Sequence, residues 1–497
     1  MFRARFTRRA VLGAVVTSAA AAAVSACGGS APAPTSAPAQ PTKPAAAQPT
    51  KPAAAEPTKP AAAPANVNPP GGAVNPPGGA PAATAAPTVV PVQAAAGQTV
   101  VRVMNRNDVR YQKFMEDWIK GFEAKNSKIK IQNEPIPNDW EQKLTAALAA
   151  GAAPDTAAVY GHWFRIYMEK NQIVELTQYV SKDFKADDTN DFLPGQWKGM
   201  QLNGKQLAIP QYININALYV NKDAAKEMSA EIPGNDYSYE QMLAFITKMH
   251  KKTGDKVDRF GFTTGLTDDG FIRVISLIWG QGGQINPPDD INKFTFTKPE
   301  TVKAFQWIHD IFWKLKIGAV TAADMGGLAS QGDAFWAGKL GTMFQGMHFF
   351  GVIPEGLKMQ FDVLPPPKGP GGRGQRASMD GYIIAKSTKA ADQSWDAIKD
   401  LTSPDVEKAQ AKAAYLIPSR RSGFDTYTSM FPDKNVKAVL STTDEARPDP
   451  RSMWNNAAPT WNAIKPINEE LFVVNKITVE EAMQKMQAAA EKAQKEG

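Results

Sequence analysis

Residues 28–97 cannot form a packed core, and that decides where the rest of the chain must fold. The block Gln40-Pro41-Thr42-Lys43-Pro44-Ala45-Ala46-Ala47 recurs at 48–55 and, with Glu56 in place of Gln, at 56–63. Asn68-Pro69-Pro70-Gly71-Gly72 recurs at 75–79. Large apolar side chains are almost absent, so no burial offsets the entropy of ordering these repeats. Pro-rich chain favours extended, semi-rigid conformations, and at ~3 Å per residue such a linker spans up to about 200 Å. It reads as a passive spacer. The fold therefore lies in residues 98–497.

The segment before the linker is an export signal over residues 1–27. Arg3, Arg5, Arg8 and Arg9 form a positive stretch without an acid, an apolar run of small residues follows from Ala10 to Ala26, and then comes Cys27. This is the order of a secretory signal: charged region, short apolar region, small-residue cleavage site. Thr7-Arg8-Arg9-Ala10-Val11-Leu12 resembles a twin-arginine signal, with Val11 where an aromatic is usual, so the export route is twin-arginine or Sec. Val24-Ser25-Ala26-Cys27 resembles a bacterial lipobox, in which the cysteine thiol accepts a diacylglyceryl group. Cys27 is the only cysteine in the chain. The expectation is a lipid anchor on the extracytoplasmic face of the cell membrane, and a folded body with no intramolecular disulfide.

Charge excludes one class of partner. The chain carries a formal +7, but residues 1–98 hold four Arg and three Lys against Glu56 alone. The folded body is thus near neutral, and a nucleic-acid surface is not implied.

Within that body the pattern alternates strand and helix. Residues 100–104, Val-Val-Arg-Val-Met, form a β-rich run. Phe114, Trp118 and Phe122 then fall on one helix face, and 128–132 alternates polar and apolar as a half-buried strand does. A helix over 140–150 stops at Gly151, and a third strand covers 155–160. This order predicts a parallel sheet with crossover helices in an α/β fold.

Five stretches, in order, carry a family resemblance. They are Phe122-Glu123-Ala124-Lys125-Asn126 with Trp140-Glu141-Gln142-Lys143-Leu144 and 149–155; Ala208-Ile209-Pro210 with 217–223; Leu340-Gly341-Thr342-Met343 with Gly346; 363–369 with Gly381-Tyr382-Ile383-Ile384; and 477–482. Together they resemble the family 1 extracellular solute-binding proteins of ABC importers, the maltose-binding-protein group. The resemblance implies a two-lobe periplasmic-binding-protein-like fold (type II) with the ligand cleft between the lobes. It implies lobe one at about 98–213 and 376–430, and lobe two at about 214–375 and 431–497. It also implies a monomer that captures a sugar or oligosaccharide by hinge closure and delivers it to the transmembrane subunits of an ABC permease, with no cofactor and no metal.

Sugars present apolar C–H faces and rings of hydroxyls, so their sites combine flat aromatic rings with polar side chains. Of the eleven Trp, Trp118, Trp307, Trp313, Trp336 and Trp395 fit core positions, whereas Trp140, Trp163, Trp197, Trp279, Trp454 and Trp461 sit at element edges or in loops. In open α/β sheets ligands lie beyond the carboxyl ends of strands. That rule selects Asn105 and Arg106 after the first strand, Asn138 and Trp140 after the second, and Tyr160, His162 and Trp163 after the third. The family likeness places His162 where an acidic residue often meets the sugar, and Asn214, next to Tyr212, where a carboxylate does. His348 or Phe349 stands in for a stacking Trp. Asp380 and Gly381 precede a strand, with Gly381 expected to permit close backbone approach. Phe271, Arg273, Trp454 and Trp461 complete the candidate set.

Catalysis has little support. No Gly-x-Ser-x-Gly elbow and no His-Glu-x-x-His is present, and the four histidines are scattered. Residues 369–374 lack the Lys-Ser/Thr of a phosphate loop. An exported carbohydrate-active enzyme would need two paired carboxylates, and nothing in the sequence pairs Asp139, Asp269 and Asp380. A binder of a polyol, polyamine or phosphodiester is the other alternative, although the Asn, Arg and His of the candidate loops suit a neutral or weakly acidic polyhydroxy ligand.

Overall fold

The central strands are covered on both faces, every residue of 156–159, 216–221 and 381–384 being buried. Val101 and Val103 of β1 (Thr99–Arg106) pack on one side of their sheet, with Tyr382 and Ile384, while Met104 packs on the other with Ala157, Val159 and Ile383. Strands buried on both faces read as nearly continuous apolar runs, as these do. The computed structural model describes residues 91–496 other than 137–139, 162, 268, 288 and 329; these all fall within one compact unit. The export signal, Cys27 and most of the linker lie outside the described residues.

The elements that carry the site are β1, α1 (Val109–Lys125), β2 (Ile129–Ile136), α2 (Trp140–Ala149), β3 (Thr156–Val159), α3 (Trp163–Glu169), β4 (Ile209–Pro210), β5 (Asn216–Asn221), α4 (Pro299–Trp313), β6 (Thr342–Gly346), β7 (Phe361–Leu364), β8 (Gly381–Ile384), α5 (Pro404–Ala414), α6 (Ala457–Asn468) and α7 (Val479–Glu496). One sheet has the order β2-β1-β3-β8-β4. Its first three strands are parallel and joined by helices, as the sequence pattern predicts, and β8 returns antiparallel to both β3 and β4. The second sheet, β6-β5-β7, is antiparallel. This is the two-lobe α/β arrangement, one main sheet to a lobe, with four two-stranded sheets besides among the described residues.

Helix starts follow local chemistry. Asp108 caps α1, its carboxylate accepting from the Tyr111 N–H at 3.0 Å. The buried face of α1 is Tyr111, Phe114, Met115, Trp118 and Phe122, the stripe expected from the spacing. In lobe two, Ala482, Met483, Met486, Ala490 and Ala493 give α7 an apolar stripe that packs on α6 and α4.

Three segments cross between the lobes side by side. Gln211 N–H donates to the Asp380 carbonyl at 2.9 Å, Ser378 N–H to Asn214 at 2.9 Å, and Ile213 N–H to Ile417 at 2.9 Å. Buried Gln196 ties two of them, its amide donating to the Tyr212 carbonyl at 2.8 Å and to that of Ser378 at 3.3 Å. Gln211 fastens the middle segment to lobe one through the Tyr111 and Tyr382 hydroxyls, at 2.6 and 3.0 Å. An amide reaching two buried hydroxyls replaces the water each would lose.

Candidate functional site

A cleft of about 440 Å³ lies over these crossing segments. Lobe one forms one wall, built at the carboxyl ends of its parallel strands. Arg106 ends β1, Trp140 opens α2, and Tyr160, Gly161 and Trp163 follow β3. Gly161 has φ of 65°, a left-handed turn that side-chain-bearing residues adopt at a cost. That turn sets Tyr160 and Trp163 on one side. The Trp140 ring meets Tyr160 edge-on, centroids 5.1 Å apart, and Trp163 stacks on Tyr167 at 5.9 Å. Arg106 is held in place by Asp108 at 2.8 Å and donates to the Tyr212 hydroxyl at 3.1 Å. The α1 cap thus also orients a cleft side chain.

Lobe two forms the other wall, and it is ionic. Asp269 pairs with Arg273 at 3.0 Å and with Arg451 at 3.0 Å; Arg451 pairs with Asp449 at 2.9 Å; Asp449 pairs with Arg376 at 2.7 Å. The result is a chain of alternating sign that leads to the floor. Gly270, at φ of 57°, lies against the Asn468 side chain, where a Cβ would come within 2.5 Å. The bare turn lets Asp269 and Arg273 project together. Burial works against the Asp269 charge, yet Arg273 and Arg451 hold its carboxyl well below the usual carboxylate range.

The floor is Tyr212, Asn214, Arg376, Ser378 and Asp380. The Asn214 amide oxygen accepts from His348, from its backbone N–H at 3.3 Å and from Nδ1 at 3.1 Å. Burial, with Arg273, Arg106 and Arg376 nearby, pushes the imidazole well below its ordinary range. His348 is therefore neutral, and with its Nδ1 proton on Asn214 its Nε2 is an acceptor. Asp380 goes the other way. Burial raises its carboxyl to about 6, although Ser378 donates a hydrogen bond to it and Arg376 and Arg106 oppose the shift. Among the described residues, the Tyr160 hydroxyl and Arg376 Nε are buried on the lining without a protein partner.

Of the candidates read from sequence, Arg106, Trp140, Tyr160, Trp163, Tyr212, Asn214, Arg273, His348 and Asp380 line this cleft. Asn138 and His162 lie outside the described residues. Six candidates are placed elsewhere. Asn105 points into the lobe-one core, beside Met115 and Tyr111. Phe271 and Trp461 pack edge to face in the lobe-two core, at 5.7 Å. Trp454 is fully buried and donates to Asn286 at 2.9 Å. Phe349 turns away from the cleft, its ring against Gly332. Gly381 lies within β8, where a Cβ would come within 2.8 Å of the Ile209 carbonyl; its bareness serves strand packing. The lining also holds Glu141, Gly161, Asp269, Arg376, Ser378, Asp449 and Arg451. Arg376, Asp449 and Arg451 have no strand-end signal, since they sit on a crossing segment and a loop before α6. The run Arg447-Pro448-Asp449-Pro450-Arg451 was the one available cue.

The comparisons with known proteins fit this geometry. Residues 117–438 match the family model described as bacterial extracellular solute-binding protein. The chain belongs to that family. Its members are extracytoplasmic solute binders of ABC transporters and not enzymes. Among solved structures, it is similar to an ABC substrate-binding protein from Listeria monocytogenes in complex with cycloalternan, with TM-score 0.70, 19% identity, and coverage of 80% of this chain and 98% of that one. It is similar to a solute-binding protein from Thermotoga lettingae bound with α-D-tagatose, with TM-score 0.68, 17% identity, and coverage of 80% and 100%. It is also similar to a Mycobacterium tuberculosis protein in complex with glycerophosphocholine, with TM-score 0.69, 15% identity, and coverage of 80% and 99%. At these identities the likeness is one of fold.

Proposed function

We propose that this solute-binding protein captures a sugar or oligosaccharide between its lobes and presents it, closed, to an ABC permease, while a lipid on Cys27 keeps it at the outer face of the membrane. One observation carries the sugar assignment: an aromatic wall of Trp140, Tyr160 and Trp163 faces a wall of hydrogen-bonding groups across 440 Å³. Flat rings suit the C–H face of a pyranose, and the opposite wall suits its hydroxyls. Charge agrees, because Arg106, Arg273, Arg376 and Arg451 each meet a carboxylate already. A neutral solute leaves those pairs intact. The Tyr160 hydroxyl and Arg376 Nε supply donors that await an acceptor. Several neighbours of this fold hold sugars, which supports the reading. The lobe limits and export signal expected from sequence belong to the same proposal.

A phosphodiester is the second reading, favoured by Arg376 Nε. A thermal-shift screen of maltooligosaccharides, monosaccharides and glycerophosphodiesters separates the two. A solute at a hundred times its Kd stabilises the fold by about 2.7 kcal/mol. The sugar reading predicts a rise in Tm with at least one sugar; stabilisation by glycerophosphocholine alone would overturn it.

A further inference from the structure

Two arginines outside the cleft join the lobes through uncharged acceptors. Arg165, in the first turn of α3 of lobe one, donates to the Met453 carbonyl at 2.7 Å and to the Asn455 side-chain oxygen, both on the loop that leads into α6 of lobe two. Glu169 steadies it at 3.0 Å from its own helix, and only 9% of its side chain is exposed. Arg110, in the first turn of α1, donates to the carbonyls of Gly351 and, at 3.0 Å, Ile353, on the loop after β6. Its guanidinium lies 4.9 Å from the Tyr415 ring centroid. Each uses the planar fork of a guanidinium to take two acceptors at once in a preset geometry, which the rotating donors of an ammonium do not supply.

We propose that Arg110 and Arg165 are closure latches, which stabilise the closed arrangement by themselves and so set how tightly the cleft holds whatever solute enters. Three features support this. The donors belong to one lobe and the acceptors to the other, so separating the lobes breaks the bonds. All the participating groups are protein atoms outside the cleft lining, so the latches need no solute. The acceptors across the gap are uncharged, so the bonds do not depend on an ion pair. Because apparent affinity scales with the population of the binding-competent state, a latch acts on Kd while leaving the solute contacts unchanged. The latches are positioning residues, and the inference is independent of which solute the protein takes.

Spin labels at exposed Lys170 and Lys492, in a Cys27→Ser background, report the gap. Lys170 follows α3, and Lys492 lies on α7, whose Gln494 bonds the Asn455 carbonyl; both positions therefore flank the Arg165 contact. Dipolar distance measurements on the unliganded protein should contain a short-distance population. R110A and R165A should each lower its ratio to the long-distance population roughly tenfold, the scale of one charged hydrogen-bond set. R110K and R165K should restore part of it. The fold-changes caused by R110A and R165A should differ by less than about twofold between 50 and 500 mM NaCl, since the acceptors of these two arginines across the gap carry no charge to be screened, while the Arg421–Asp444 and Arg376–Asp449 pairs are common to every protein compared. Circular dichroism identifies any variant that has lost its fold, in which case the lysine variants carry the test. A wild-type protein with only the long distance, or folded variants indistinguishable from wild type, would overturn the proposal; failure to find a sugar ligand would not.

Discussion

The two walls of the cleft are made by different means. The lobe-one wall consists of rings and one arginine at the ends of parallel strands, each placed by its own strand or helix. Trp140, Tyr160 and Trp163 are half-buried and touch one another or the helix behind them. The lobe-two wall is a chain of four charges, Arg273, Asp269, Arg451 and Asp449, which continues to a fifth, Arg376 of the floor, and every member is held by its neighbours. A wall of independent side chains tolerates changes one at a time, so it is suited to setting which solute binds. A coupled wall behaves as a unit, because removing one charge leaves another buried without its partner. On the function proposed above, the difference would give specificity to lobe one and a fixed hydrogen-bonding frame to lobe two.

The largest effect should come from breaking the coupled wall. Arg451→Met leaves Asp269 and Asp449 each short of a partner, and should destabilise the fold by about 3 kcal/mol or more as well as abolishing binding. Urea unfolding measures the first and titration calorimetry the second. A loss of less than about 1 kcal/mol would mean the five charges act singly, and the contrast between walls would fail. On the other wall, Trp140→Ala should weaken sugar binding roughly thirtyfold, about 2 kcal/mol. Its cost in stability should stay below about 1 kcal/mol, because the ring is half-buried. Equal losses in Tm and affinity would remove the distinction.

The floor between the walls should show the smallest effect, and it has a sign. Asp380 is raised to about 6 by burial. For folding, a raised carboxyl contributes stability at low pH, and that contribution is lost as pH rises through about 6. For binding, the ionised carboxylate is the better acceptor of hydroxyls, so affinity should run the other way and fall by up to about tenfold per pH unit below 6. Calorimetry at pH 5 and pH 7 tests this, and Asp380→Asn should flatten the profile.

Much of lobe one was legible in the sequence because its logic is local. A strand of alternating residues, a cap and a helix stripe fix both the element and the loop at its end, and that loop carries the cleft residues. Trp140, Tyr160 and Trp163 follow from that rule. Lobe two yields less, since Asp269, Arg376, Asp449 and Arg451 meet only after distant segments converge, and separation along the chain hides the pairing. Loop position also misled: Trp454 and Trp461 look like rim residues, yet long-range packing of the loop before α6 against Phe294, and of α6 against Phe271, makes them core. Gly381 shows the same limit, because whether a bare Cα meets a ligand or a neighbouring strand is decided by tertiary contact.

The crossing segments have a mechanical consequence. Segment 211–216 runs between 376–380 and 417, bonded on both sides, so the connection is a three-ply ribbon and not a set of separate cords. A ribbon bends readily out of its plane and resists shear and twist within it. The lobes are thereby left with one soft coordinate, and a change of residue on either wall alters what is gripped without altering the path along which the grip closes.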